Sequence, residues 1–368
     1  MSWTLWVVTA SSRRRMRRAV AEVEALGIGP VIGVVEPCRR GNLFGTVDAI
    51  AAAERRVGSL SGEAVVLLHD AGRATRSSSL LAGVSRGALP VGGIREGRRL
   101  SLLSAVARGI GPLAASARRG RVDVFWTSQL FDVDPACAAN APGGDLVKRF
   151  VPGVEDRLDD LGLARLVDGH VVDFRPRGSF ARGEREAWLR TGPAWRDVGG
   201  VSMSLDLVRA IPDLLPGLAV ADVDPTLTLR ASAGQLGLSV GAHDLGAATR
   251  WLRLRRPDEW AAASRAVTAP DGGRWRDQLC LPVPIESSRL GRSTVRAGDV
   301  GWDEVAHGVT ISGVLVRSAY VAQSALTNGS SVHGSWVVGA QGKLHALNAR
   351  VCRSRGTVVV TDGVTLGP

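Results

Sequence analysis

The sequence predicts an α/β protein with a doubly wound, mainly parallel sheet, followed by a short C-terminal segment of a different texture. Two observations carry the α/β part. Apolar runs too short for helices recur at Thr4–Ala10, Val31–Val35, Ala64–Leu68 and Val122–Thr127, and helical spacing falls between them. Each run ends in polar or small residues, so several loops converge on one sheet edge, the carboxyl edge at which open α/β sheets bind ligands. The third observation is a run of aliphatic residues six apart near the C-terminus: Val309, Leu315, Val321, then Val332, Val338, Leu344.

In chain order, Thr4–Ala10 reads as a first strand. Ser11 and Ser12 offer an N-cap, and Arg13–Leu26 carries helical spacing at Met16, Val20, Val23 and Leu26. Gly27 and Gly29–Pro30 stop that helix, and Val31–Val35 is the second strand. A β-α-β unit this short implies parallel pairing. Glu36–Thr46 reads as a polar, glycine-bearing loop and Val47–Val57 as a helix. Ala64–Leu68 is a strand buried on both faces, followed at once by His69-Asp70-Ala71-Gly72-Arg73-Ala74-Thr75-Arg76-Ser77.

Leu100–Gly109 reads as a helix, and Val122–Thr127 as a strand ending at Ser128–Gln129. Leu163–Val167 and Val171–Phe174 form a hairpin around an Asp168–Gly169–His170 turn. Trp195–Ser204 is a strand, Leu205–Ile211 a helix, and Leu245–Leu254 and Asp258–Ala266 are helical. The six-residue period with small residues between is that of a left-handed β-helix; a small antiparallel β domain is the alternative. The expected organisation is an α/β domain over 1–300 and a β-helix-like domain over 301–368.

The chain has 368 residues, 45% hydrophobic and 22% charged, values of a globular protein. Net charge is +11, which favours anionic ligands. Arginine supplies nearly all of it: lysine occurs at Lys148 and Lys343 only. Four cysteines lie far apart, so neither a zinc site nor a disulfide framework is expected. No signal peptide or membrane-length apolar run is seen, and a cytoplasmic protein is expected. Walker, HxH and HExxH motifs are absent. Aromatic residues do not interleave with the arginines as nucleic-acid stacking requires.

The small residues and arginines after Leu68 suit a triphosphate, since exposed N–H groups and guanidinium groups both take phosphate oxygens. The loop Gly41-Asn42-Leu43-Phe44-Gly45-Thr46, the His69–Arg76 loop, Ser85–Val91 and the hairpin Asp168–Pro176 together resemble sugar-1-phosphate nucleotidyltransferases. The likeness is to the GDP-fucose pyrophosphorylase (fucose-1-phosphate guanylyltransferase) type, which is also found in bifunctional fucokinases. His69, Ala71, Gly72 and Arg76 match one signature and Leu89–Pro90 a second.

The resemblance implies a Rossmann-like nucleotidyltransferase sheet with a C-terminal β-helix. It implies transfer of a nucleoside monophosphate from a triphosphate, GTP by preference, to a sugar 1-phosphate, with release of pyrophosphate. Arg73, Arg76 and Arg86 would carry catalysis by neutralising phosphate charge. Gly41, Asn42, Gly45, Thr46, His69, Ala71, Gly72 and Gln129 would line the nucleotide, and Lys148, Asp197 and Gly199 the sugar phosphate. Mg²⁺ would be held by Asp222 and Asp224, two carboxylates at i and i+2 of an extended segment. The partners are thus a nucleoside triphosphate and a sugar 1-phosphate, with no nucleic acid and no membrane, and with self-association through the C-terminal domain left open. Two departures weaken the pattern. Arg86 stands where lysine is expected, and Gln129 where the family carries a metal-binding aspartate, with Asp132 and Asp134 nearby as substitutes. A sugar-nucleotide-binding protein without catalysis is the alternative.

Overall fold

The computed structural model describes residues 4–36, 41–70, 86–88, 90–95, 98–153, 162–175, 179–181, 183–215, 237–254 and 272–280. It also describes Glu259, Ala263, Ala266 and the strands between Thr294 and Leu366. Two compact units result. The first is Met1–Gly72, Ala107–Thr127 and Val133–Trp251; the second is Arg73–Val106, Ser128–Asp132 and Leu252–Pro368.

The first unit holds a mixed α/β sheet with a parallel centre. It begins β1 (Thr4–Ala10), α1 (Arg13–Glu24), β2 (Val31–Val35), α2 (Gly41–Val57) and β3 (Ala64–His69). The second unit contributes the hairpin β4 (Pro90–Arg95) and β5 (Arg98–Ser101), which leads into α3 (Leu102–Gly109). Then come α4 (Gly111–Ala115), β6 (Arg121–Trp126), β7 (Gln129–Asp132), α5 (Pro135–Ala138), β8 (Leu146–Pro152), β9 (Leu163–Val167), β10 (His170–Arg175), α6 (Glu184–Arg190), β11 (Trp195–Ser204), α7 (Leu205–Leu214), β12 (Val240–Asp244), β13 (Arg250–Arg253) and α8 (Gly273–Gln278). The sheet runs β10-β9-β11-β6-β3-β1-β2, with β8 beside β11 and β12 beside β8. β2, β1, β3 and β6 are mutually parallel, and β11 joins β6 antiparallel.

The two faces of this sheet follow from the alternation of side chains along each strand. Leu5, Val7, Ile32, Val34, Val65, Leu67, Val122 and Val124 point to one face. There they pack with Phe44 and Ile50 of α2 and Val208 and Ile211 of α7 in one apolar core. The opposite face receives α1 and α4. A Cβ at Gly33 would collide with Met16 Sδ and lie 2.6 Å from Val20 Cγ2, so α1 lies directly on β2. Thr4 Oγ1 donates to the Ala114 carbonyl of α4 at 2.8 Å. Ser12 caps α1 with its hydroxyl accepting from Arg15 N. The β9–β10 hairpin turns on Asp168 and Gly169, both at positive φ (49° and 74°), as a two-residue primed turn requires.

Three expectations are corrected. The segment read as a loop up to Thr46 is helical from Gly41. Glycine and asparagine are poor helix formers, yet Leu43, Phe44, Val47 and Ile50 fall on one helical face that packs on the core, and tertiary burial overrides propensity. Leu245–Leu254, read as a helix, is instead the turn after β12 followed by β13. Leu100 and Ser101 close β5, so α3 starts at Leu102. Asp258–Ala266 falls mostly outside the described residues.

From Thr294 on, short strands pair in parallel. Thr294 stands opposite Thr310, Thr310 opposite Ala325 and Ala325 opposite Gln341. A second series runs from Val305 to Tyr320, Trp336, Arg350 and Thr365. Each partner lies fourteen to sixteen residues along the chain, so successive lengths of chain lie side by side.

The close approach at Gly33 gives a direct test of the α1 face. Gly33→Ala should destabilise the protein by about 1–3 kcal/mol through overpacking. Shortening Met16 to alanine in the same chain should recover part of the loss, read as urea midpoints. A neutral Gly33→Ala would place α1 elsewhere.

Candidate functional site

The chain passes from β1 through α1 to β2, then returns to place β3 on the other side of β1. The strand order therefore reverses between β1 and β3, and in open α/β sheets the carboxyl ends of the strands at such a reversal are where ligands bind. The described residues at this edge are Thr9 to Ser12 on one side and His69 and Asp70 on the other. Glu36 stands beyond the end of β2 and Thr127 beyond the end of β6.

His69, the last residue of β3, is buried, and both of its ring nitrogens are engaged. Nδ1 lies 3.3 Å from Thr9 Oγ1 and Nε2 lies 3.0 Å from Thr46 Oγ1. The ring stacks on Trp126 with centroids 6.2 Å apart. Burial pulls its pKa down to about 4, so at neutral pH the ring is uncharged and ties β1, β3 and α2 together. Asp70 leaves the sheet next. Its N–H donates to the Thr9 carbonyl at 3.1 Å, and its Oδ1 accepts from Thr127 Oγ1 at 3.1 Å. The chain is thus clamped between β1 and β6 just before Ala71.

Gly45, expected to let backbone approach a nucleotide, makes its close approach to a carboxylate. A Cβ there would lie 2.8 Å from Glu36 Oε1 and 3.5 Å from His69 Cε1. Burial first, and the charge of Asp48 second, push the Glu36 pKa up to about 6. Thr46 is buried against His69, and Gly41 and Asn42 are the first residues of α2.

Arg13 and Arg14 were not foreseen as site residues. Both are exposed, and they open the first turn of α1 directly past β1. That turn contains no acidic residue, although a helix N-terminus favours negative charge. The visible signal was the run Arg13-Arg14-Arg15 after a serine cap.

A second group forms where β8 meets β11. Lys148 Nζ pairs with Asp197 Oδ2 at 2.7 Å, with the lysine side chain 2% exposed. It also lies 4.3 Å from the centre of the Phe174 ring. Asp197 Oδ1 accepts from Gly199 N at 2.8 Å, and Gly199 adopts φ +75°. The register of β11 against β8 shifts between Asp197 and Val201, so a bulge sets the three expected substrate residues together. Bulges of this kind re-aim side chains next to ligand sites.

Gln129 opens β7 and is buried, with its Oε1 lacking a hydrogen-bond partner. Of its acidic neighbours, Asp132 is paired with Arg274 at 2.8 Å and Asp134 caps α5 by accepting from Ala136 N. Both carboxylates are therefore committed. Arg86 begins a short 3-10 turn, Arg86–Ala88. Ala71, Gly72, Arg73, Arg76, Asp222 and Asp224 lie outside the described residues. Among the described residues no three His, Cys, Asp or Glu side chains gather as a metal site, and no helix is long and apolar enough to cross a membrane.

No family model matches the chain, and no curated protein does. Solved structures similar to it include one described as a glucose-1-phosphate thymidylyltransferase from Bacillus anthracis, in complex with sucrose. It is 12% identical, with 75% of this chain and 96% of that chain covered, at a TM-score of 0.34. Another is CMP:2-keto-3-deoxy-manno-octonic acid synthetase complexed with CTP, 10% identical over 71% of this chain and 97% of that one, TM-score 0.32. A third is a point mutant of UDP-glucose pyrophosphorylase from Leishmania major with UDP-glucose, 10% identical over 99% and 86%, TM-score 0.27. At this degree of likeness, function has to be argued from the chain's own side chains.

Two outcomes check the site. The Glu36 pKa is raised from 4.5 to about 6, so the folded state holds a proton there that the unfolded state releases first. Its contribution to stability is present below about pH 4.5 and is lost as pH rises through 6. Glu36→Gln should therefore be more stable than wild type above that window, with the gap closing toward pH 4.5 in paired urea titrations. Asp197→Ala strands a buried ammonium and should cost roughly 3–5 kcal/mol. An Asp197→Ala variant as stable as wild type would show that Lys148 is held by something else.

Proposed function

We propose that the chain is a nucleotidyltransferase that joins a sugar 1-phosphate to the nucleoside monophosphate of a triphosphate and releases pyrophosphate. The observation that carries this reading is the reversal of strand order between β1 and β3, the position at which open α/β sheets take ligands. On one side a helix N-terminus presents exposed Arg13 and Arg14 without a balancing acid. On the other, clamped Asp70 starts the Ala71–Arg76 segment. A helix N-terminus with arginines is suited to phosphate oxygens.

In the proposed reaction a phosphate oxygen of the sugar 1-phosphate attacks the α-phosphorus of the triphosphate. The new O–P bond forms as the bond to the β-phosphate oxygen breaks, and the electron pair leaves with pyrophosphate. No protein nucleophile is required, so catalysis is positioning and charge neutralisation. Arg73, Arg76 and Arg86 are assigned to phosphate charge. Lys148 is assigned to the sugar phosphate, with Asp197 holding its ammonium in place until the substrate arrives. Gly41 to Thr46 are assigned to the nucleotide, and Mg²⁺ to Asp222 and Asp224. GTP is the preferred triphosphate, and the C-terminal strands are assigned to a left-handed β-helix, both by the resemblance.

Gln129 favours a second reading. A neutral carboxamide is a weaker Mg²⁺ ligand than a carboxylate, and Asp132 and Asp134 are committed elsewhere. A protein that binds the sugar nucleotide without making it fits that position.

Calorimetric titration with the four triphosphates, alongside a pyrophosphate-release assay with added sugar 1-phosphates, tests both. Arg76→Ala should weaken triphosphate binding by roughly 2–4 kcal/mol, with little change in unfolding midpoint. Arg76→Lys should restore only part, because it keeps charge and loses the planar fork. Equal affinities for all three proteins would remove the phosphate-loop assignment. Binding without pyrophosphate release would select the second reading, and CTP or UTP preference would refute the choice of base.

A further inference from the structure

The sheet of the first unit ends at β2, a strand that the proposed reaction does not use. Trp6 N–H donates to the Pro30 carbonyl, and Glu36 N–H donates to the Ala10 carbonyl. The even-numbered residues from Pro30 to Glu36 therefore turn their backbone groups toward β1. Alternate residues of a parallel strand serve opposite neighbours, so Val31, Gly33 and Val35 turn their N–H and C=O groups outward. Among the described residues no further strand meets them. An edge of this kind is a template for another strand.

The composition of β2 makes the template a strong one. Val31-Ile32-Gly33-Val34-Val35 carries no charge and no proline, and all but Gly33 are β-branched. The strand also reads nearly the same in both directions. A second copy laid antiparallel, with Gly33 opposite Gly33, sets Val31 opposite Val35 and Ile32 opposite Val34. The outward residues then all fall in hydrogen-bonded pairs, about six backbone bonds in total. The partner that suits this edge is therefore the same strand of another copy.

One side chain stands in the way. Arg56, in the last turn of α2, reaches the edge, and its Nη1 donates to the outward carbonyl of Gly33. Gly33 is the centre of the self-pairing. Two copies brought together would place both Arg56 side chains at that centre, each on a carbonyl that the other strand needs. Their guanidinium charges would repel, and both carbonyls would have to exchange one donor for another. We propose that Arg56 guards this edge and keeps β2 from pairing antiparallel with β2 of a second copy of the chain. Arg56 is itself exposed, so the guard can be removed without opening the core.

The test compares the whole chain with Arg56→Ala, by sedimentation equilibrium over a range of concentrations and by amide hydrogen exchange. Wild type should exchange readily at Val31, Gly33 and Val35 at every concentration. Arg56→Ala should keep the wild-type unfolding midpoint when dilute and associate one step further than wild type as concentration rises. Exchange at Val31, Gly33 and Val35 should then slow by about tenfold or more relative to the dilute sample. The amides of Ile32 and Val34, already bonded to β1, should change little. Adding Val31→Pro removes an outward donor at the first residue of the strand, where proline is tolerated, and should restore wild-type behaviour. Association and edge exchange in Arg56→Ala equal to wild type would overturn the proposal. So would association that leaves the edge amides unprotected, association that Val31→Pro does not reverse, or wild-type edge amides that become protected at high concentration.

Discussion

Thr9, His69 and Thr46 form a buried bridge on which the carboxyl edge of the sheet depends. An uncharged imidazole has one donor and one acceptor, and each of its nitrogens meets a threonine hydroxyl. Three elements are joined by one ring: β1 through Thr9, β3 through His69 and α2 through Thr46. Charging the ring would turn both nitrogens into donors in a site that excludes water, which is why burial holds its pKa low. The rest of the edge follows from that bridge. With α2 drawn in against His69, there is no space for a side chain at Gly45, and the Glu36 carboxyl is enclosed beside it. With β3 fixed against β1, Asp70 can bond to both Thr9 and Thr127.

The two faces of the sheet carry different kinds of order. The face under α2 and α7 is apolar from Leu5 to Ile211 and is held by burial, which is strong and not directional. The face under α4 and α5 contains Asp123, Arg149 and His243, all buried, and is held by partners that must meet at fixed angles. Ser116 connects the covering helices by donating to the Ala138 carbonyl at 2.9 Å. Apolar packing supplies the bulk of the stability, and the polar layer fixes how β6, β8, β11 and β12 stand against one another.

The parts of this fold that were legible in the sequence are those set by local rules. β1, α1 and β2 follow from an apolar run, a serine cap and a glycine stop. The β9–β10 hairpin follows from Asp168–Gly169, whose φ values match its primed turn. The misreadings share a physical cause. Gly41–Thr46 has the composition of a loop, and only the burial of Leu43 and Phe44 makes it helical. Leu245–Leu254 has apolar residues at helical spacing, but Trp251 is buried in β13. Of the candidate site, the sequence shows residue types and not geometry. Lys148, Asp197 and Gly199 do come together, through a β-bulge that no pattern announces. Glu36 was invisible because its pKa is a product of tertiary burial. Arg13 and Arg14 were in view, but an ordinary solvated helix start accounts for them until the topology sets that start at the strand reversal.

Lys148 shows how a single residue choice follows its surroundings in an arginine-rich chain. Almost every other basic residue is arginine, so a lysine here has a physical reason. The position is buried to 2% exposure, with one carboxylate at 2.7 Å and an aromatic face at 4.3 Å. An ammonium is compact and needs few acceptors, whereas a guanidinium carries five donors in a rigid plane. Arg149, the neighbouring residue on the opposite face, shows the consequence: with one carboxylate beside it, its Nε and Nη1 stay unpaired. Arginine at 148 would meet the same shortage of acceptors and would also crowd Phe174. Lysine leaves Asp197 able to serve Gly199 with its second oxygen. The same β8 strand therefore places a compact ammonium beside Asp197 on one face and a guanidinium beside Asp123 on the other.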